Sequence, residues 1–183
     1  MKIYTRRGDD GTTGLLFGGR TEKDSLQIEA NGCVDEAQAA LGWARSLAEG
    51  ELAQQIISCQ RDLWILMADV ASAPDARERL VDGRTRVGAS MVDALEAAID
   101  HWSAFVEMPT EFVVPGETQL SAALDVARTV VRRAERAAVR CHVDGGYVVG
   151  YLNRLSDLIW TLARVAEGDQ HRPVRTVTTQ ESS

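Results

Sequence analysis

Apolar positions along this chain recur mostly at helical spacing. Val34, Ala37, Leu41, Ala44 and Ala48 share one face of a helix expected from about Asp24 to near Gly50. Leu52, Ile56, Cys59, Leu63, Leu66 and Val70 predict a second helix, ended by the Ser72–Pro74 region. Residues 74–86 read as a polar connection. Met91, Leu95, Ala98, Trp102 and Phe105 mark a third helix. A break follows at MPTEFVVPGET, where two prolines frame a short extended piece, Glu111–Val114. The fourth helix is expected from about Thr118 to His142, with an apolar arc of Leu120, Leu124, Ala127, Val131, Ala134 and Ala138. Gly145 and Gly146 separate it from a fifth, about Val148 to Glu167, whose arc is Tyr151, Leu155, Leu158, Leu162 and Ala166. No sheet-forming region and no internal repeat stands out. The expected fold is all-α, an up-and-down five-helix bundle. One domain is expected over 1–183, with a Gly/Thr-rich loop at 1–23, the bundle at 24–168 and a polar, frayed tail at 169–183.

Two polar faces do not fit a plain bundle. On the fourth helix Arg128, Arg132 and Arg136 fall in a stripe roughly 80° wide, with Glu135 between it and the apolar arc and Arg133 on the other side. Like charges at this spacing repel, so stability alone would not stack them. A solvated basic face and an anion pocket both remain open for this stripe. On the fifth helix Asn153, Asp157, Trp160 and Arg164 line up opposite the core, and a tryptophan there points to a partner subunit or ligand. Asp35 sits beside the apolar stripe of the first helix as a carboxylate able to pair with an arginine.

Charge sharpens the first of these. The 183 residues carry a net charge of −7, so the chain as a whole repels nucleic acid and anionic membranes. Any anion it binds needs a local cationic pocket. No run has the length of a membrane span and the start lacks a signal peptide's apolar core, so a soluble, cytoplasmic protein is expected. Cys33, Cys59 and Cys141 lack metal-site spacing and read as reduced, mostly buried thiols. His101, His142 and His171 form no constellation and read as structural or surface groups. No metal-binding residues are expected.

Residues 1–23 hold Gly8, Gly11, Gly14, Gly18 and Gly19 beside Thr5, Thr12, Thr13, Arg6, Arg7, Arg20 and Lys23. Such a density of glycine argues against a regular element. Exposed amides, hydroxyls and cations together suit a polyphosphate, although neither a Walker A loop nor a dinucleotide fingerprint is present. A flexible arm is the alternative.

Six segments, in order, resemble the PduO-type ATP:cob(I)alamin adenosyltransferases: YTRRGDDGTTGLLFGG, Lys23-Asp24, CVDEAQAALG, FVVPGE, VARTVVRRAER and YLNRLSD. The resemblance runs from Ile3 to about Arg164. It implies a five-helix bundle assembling as a homotrimer with active sites between subunits. It also implies that cob(I)alamin attacks the 5′-carbon of ATP, releasing triphosphate, with Mg²⁺ accompanying the nucleotide. Thr5, Arg6, Arg7, Gly8, Thr13, Gly14 and Lys23 match the ATP-binding loop, and Arg132, Arg133, Glu135, Arg136 and Asn153 match its counterpart on the fourth and fifth helices. Arg128 matches an arginine that pairs across the subunit boundary with the aspartate at Asp35. Phe112 matches an aromatic closing the lower face of the corrin. An adenosylcobalamin-dependent enzyme and a corrinoid reductase are the implied protein partners. Asp10, Gln38, Glu117, Asp125 and Val131 depart from the family's usual residues. A non-catalytic corrinoid or ATP carrier on the same bundle is the second reading, and a carboxylate metal bundle is disfavoured because no Glu-x-x-His pair occurs.

Overall fold

The computed structural model describes residues 3–141 and 146–175. Five helices, α1 (Leu26–Ser46), α2 (Gly50–Val70), α3 (Ala89–Ser103), α4 (Gln119–Arg140) and α5 (Val148–Glu167), make up most of it. Their ends follow local chemistry. Ser25 caps α1 by accepting from the Ile28 amide. Thr118 and Ser121 cap α4 reciprocally, each side chain accepting from the other's backbone amide at 3.0 and 3.1 Å. Gly168, at φ +59°, ends α5 in a conformation other residues rarely adopt.

The helix α1 packs between α2 and α4, while α5 packs against both α4 and α3. Gln38 and Gln60 each donate a side-chain amide to the other's carbonyl, at 2.8 and 3.1 Å, and lock α1 to α2. One continuous apolar core results. In α4, Leu124, Ala127, Val131, Ala134 and Ala138 are fully buried as their periodicity required, and Leu120 is half-buried. Cys33 and Cys59 are buried in this core, and burial pushes the Cys59 thiol up to about 12, so it is inert as a nucleophile. Cys141 is half-buried. No helix among the described residues is long and apolar enough to cross a membrane.

Several sequence-based expectations need correction. The Gly/Thr-rich segment does contain a regular element: β1 (Thr12–Gly14) pairs antiparallel with β2 (Arg20–Glu22). Threonine favours strand, and Gly18 and Gly19, at φ +112° and +84°, supply the turn. A second ribbon joins distant parts of the chain, β3 (Val113–Val114) pairing with β4 (Arg172–Pro173). The tail is therefore anchored as far as Val174, and residues beyond 175 lie outside the described residues. Helix α3 stops at Ser103, which leaves Phe105 beyond it and exposed rather than in its apolar stripe. His142 and Gly145, expected at the end of the fourth helix and its turn, lie outside the described residues. The 74–86 connection contains a 3-10 turn, Pro74–Arg79. Fully buried Asp69 ties it down, accepting from Arg77 Nη2 at 2.8 Å and from the Val87 amide at 3.0 Å.

Candidate active site

Helix α4 carries its arginines into three different environments. Arg133 is ion-paired to Glu36 of α1, which raises its pKa chiefly through that hydrogen bond. Arg128 donates Nε to Asp125 Oδ1 at 2.9 Å. Arg132 and Arg136 are exposed and make no ion pair or hydrogen bond among the described residues. Between them, Glu135 accepts from Asn153 Nδ2 of α5 at 3.0 Å, and Arg154 Nη1 donates to Asn153 Oδ1 at 2.7 Å. Asn153 is thereby fixed beside two uncommitted guanidiniums, with its amide held from both ends.

The arm holds a second cationic group. Gly8 lies so close to Lys23 that an added Cβ would meet Nζ at 3.1 Å and the Thr12 carbonyl at 3.2 Å. A side chain there would crowd both the lysine and the strand, so that one of them would have to shift by a few tenths of an ångström. Arg6 sits at φ +62°, an uncommon conformation for a residue with a side chain. Arg7 offers its carbonyl to Arg20 Nη2 at 2.6 Å, while Thr5, Arg6, Arg7 and Gly14 are exposed and Thr13 is half-buried. Asp10 does not face outward as a bare charge. It accepts from the Thr12 amide at 3.0 Å and lies 3.4 Å from Arg20, bonds that lower its pKa, the Thr12 amide most.

The arm docks on the far end of α2, where the Leu16 amide donates to the Ala71 carbonyl at 2.8 Å. Arg79 covers the Phe17 ring at 4.4 Å and steadies the same turn. Among the described residues, no hydrogen bond or ion pair joins the arm to the arginines of α4 within one chain.

A third feature is a cavity of about 420 Å³ at the junction of α4, α5 and the segment before β3. Phe112, Val113, Asp125, Arg128, Trp160 and Arg164 line it. Phe112 itself is 89% exposed, a large apolar ring with little to cover it in one chain. Asp35 is exposed on α1 and makes no hydrogen bond or ion pair within the described residues. The carboxylate on Arg128 in this chain is Asp125. The reading of Arg164 as part of an outward polar face was wrong: it is 1% exposed, neutralised by Asp125 and Glu167. Trp160 is half-buried against it, which does explain a tryptophan on that side of α5. Among the described residues no group of three or more His, Cys, Asp or Glu side chains could hold a metal ion.

Comparison with known proteins adds the family to this geometry. Residues 3–166 match the family model described as cobalamin adenosyltransferase. The chain belongs to the cobalamin adenosyltransferase family. Within that family it is 40% identical over 170 residues to a corrinoid adenosyltransferase of Citrobacter freundii, covering 91% of this chain and 95% of the relative. A corrinoid adenosyltransferase of Mycobacterium bovis is 43% identical over 175 residues, covering 92% and 90%. Among solved structures, a phenylalanine-to-alanine variant of a PduO-type ATP:corrinoid adenosyltransferase from Lactobacillus reuteri, complexed with cobalamin and ATP, superposes with a TM-score of 0.83. It is 31% identical, and the match covers 96% of this chain and 100% of that one. An arginine-to-lysine variant from the same organism, complexed with ATP, gives a TM-score of 0.81 at 29% identity.

The α4 arginines, Asn153, the arm and Phe112 were singled out from the sequence, and the structure leaves Arg132, Arg136 and Phe112 exposed and Asn153 held between Glu135 and Arg154. Sequence reasoning missed the buried set around Arg164, whose local signals were two (i, i+3) spacings, Asp125 with Arg128 and Arg164 with Glu167.

Proposed function

We propose that this chain transfers the 5′-deoxyadenosyl group of ATP to cob(I)alamin, forming adenosylcobalamin and inorganic triphosphate. The observation that carries it is the pair Arg132 and Arg136. These are two guanidiniums on consecutive turns that no carboxylate neutralises among the described residues, in a chain of net charge −7. Membership of the family supplies the anion they suit. In the proposed step a Co–C bond forms at the 5′-carbon, and the C–O bond to the triphosphate breaks. The electron pair of that C–O bond leaves with the triphosphate, and cobalt passes formally from +1 to +3.

Because the leaving group gains charge, fixed cations stabilise the transition state more than bound ATP. Arg132, Arg136 and Lys23 are assigned to the phosphates, with Thr5, Arg6, Arg7, Gly8, Thr13 and Gly14 wrapping the nucleotide and Asn153 and Glu135 orienting it. Arg133 supports the helix face through Glu36. Mg²⁺ fits as part of the substrate, held through the phosphate oxygens of ATP. No general base is assigned, because the attacking group is the metal itself. Phe112 and Arg128 belong to the corrin side. Phe112 would close that face against water, and Arg128 would meet Asp35 of another copy where two subunits join. A homotrimer whose arm reaches the α4 face of its neighbour would bring together two cationic groups that no hydrogen bond or ion pair joins within one copy among the described residues. An adenosylcobalamin-dependent enzyme and a corrinoid reductase are the partners such chemistry calls for, and the cytoplasm is the compartment.

The carrier reading drew on Asp10 and Asp125, and both carboxylates are engaged by arginines of the same chain. Purified protein with ATP, Mg²⁺ and chemically reduced cobalamin tests the proposal by the spectral change to the alkylated corrinoid. Arg132→Ala should lower turnover by about 100-fold or more, near 3 kcal/mol of barrier, with helicity unchanged. Wild-type turnover in that variant would refute the role given to Arg132.

A further inference from the structure

Under the corrin-side cavity lies a set of charges that the proposed reaction does not use directly. Arg164 is 1% exposed and Asp125 4%. Arg164 Nη2 donates to Asp125 Oδ2 at 2.7 Å and to Glu167 Oε1 at 3.0 Å. Its Nε lies 3.0 Å from Glu167 Oε2 as a charge contact without hydrogen-bond alignment. The other oxygen of Asp125 accepts from Arg128 Nε at 2.9 Å. Two guanidiniums and two carboxylates thus balance at the cavity wall.

Withdrawing such groups from water costs several kcal/mol per ion, and well-packed aliphatic residues in their place are often neutral or stabilising. Stability is therefore a poor account of this arrangement. Arg164 is too enclosed to touch a ligand of corrin size. It does, however, fix both things beside it that line the cavity. Its guanidinium lies 5.7 Å from the Trp160 ring centroid. It also holds Oδ2 of Asp125, so that Oδ1 is left facing Arg128. Arg128 makes no other side-chain hydrogen bond among the described residues, which leaves its two terminal nitrogens uncommitted beside Phe112.

We propose that Arg164 is a positioning residue for Arg128, acting through the shared carboxylate of Asp125 to hold that guanidinium toward the corrin. The inference rests on reading this cavity as the corrin side of the site. Lysine at 164 keeps one charge but lacks the planar fork that spans two carboxylates. Arg164→Lys should raise the KM for cob(I)alamin on the order of tenfold and leave the KM for ATP unchanged, and in an Arg128→Ala background it should add less than about twofold. Arg164→Gln, which keeps a side-chain donor and removes the charge, runs the same cycle if Arg164→Lys does not fold. An unchanged corrinoid KM, an equal rise for both substrates, or effects that multiply across the double mutant would overturn the proposal. Should the wild-type chain transfer nothing to cobalt, the functional reading fails, and the cycle is read instead from dissociation constants for cob(II)alamin. Coupling there still supports the role of Arg164, and additivity overturns it.

Discussion

Arginine and aspartate take opposite roles at neighbouring positions of this fold, according to what surrounds each. Arg164 and Arg128 are neutralised within the chain, whereas Arg132 and Arg136 are left without carboxylates among the described residues. Asp62 shows the cost of partial enclosure. It accepts from the Tyr151 hydroxyl at 2.9 Å, yet burial outweighs that bond and raises its pKa above the ordinary 3.8. The folded chain therefore holds this proton more tightly than the unfolded chain does. Its contribution to stability is largest below 3.8 and falls as pH rises through the raised folded value. A carboxamide in place of this carboxylate cannot titrate and can still accept from Tyr151, so the Asp62→Asn substitution should remove that decline. Urea midpoints of the two proteins from about pH 4 to about pH 7 should shift steadily in favour of the variant. A constant difference across that range would show that Asp62 titrates normally.

At the scale of elements, what was legible in the sequence depended on how local the cause was. The five helices announce themselves because each carries its own apolar period, and α4 and α5 lie within two residues of their expected ends at the described boundaries. The β3–β4 ribbon has no such signature: two residues pair with two others far along the chain, and neither pair has a period. The Arg164 set was hidden for the same reason, since one of its carboxylates lies 39 residues away. The ribbon has a consequence for the Phe112 segment, because the Val174 amide donates to the Phe112 carbonyl at 2.8 Å and Arg172 pairs with Glu117 at 2.6 Å. Arg172 is largely exposed, so its ion pair is worth about 1 kcal/mol or less, and the main-chain pairing should dominate. Arg172→Ala is expected to change the corrinoid KM by less than about twofold. A chain ended after His171 should raise it several-fold and expose the bond after Glu111 to a glutamate-specific protease. Equal kinetics for the truncated and full chains would mean that the strap does not hold Phe112 in place.

The whole molecule has one continuous core, and under the proposed function its site is completed by a second copy. The arm is fastened to the end of α2, α1 stands between α2 and α4, and the free guanidiniums lie on α4. If arm and helix meet only between copies, lesions in the two halves can reside in different subunits. Lys23→Ala and Arg132→Ala should each be inactive alone, the first for want of an arm cation and the second for want of a helix cation. Co-expressed in one cell, they can assemble sites in which the arm comes from an Arg132→Ala copy and the helix from a Lys23→Ala copy. With random mixing about one site in four carries both intact halves, so roughly a quarter of wild-type turnover should return. Purified variants mixed without exchange of subunits should stay inactive, which separates shared sites from a trace of residual activity. If co-expressed variants remain as inactive as each alone, while an affinity tag on one variant co-purifies the other, both halves of the cradle belong to one chain. The arm must then leave its anchor on α2 to reach α4.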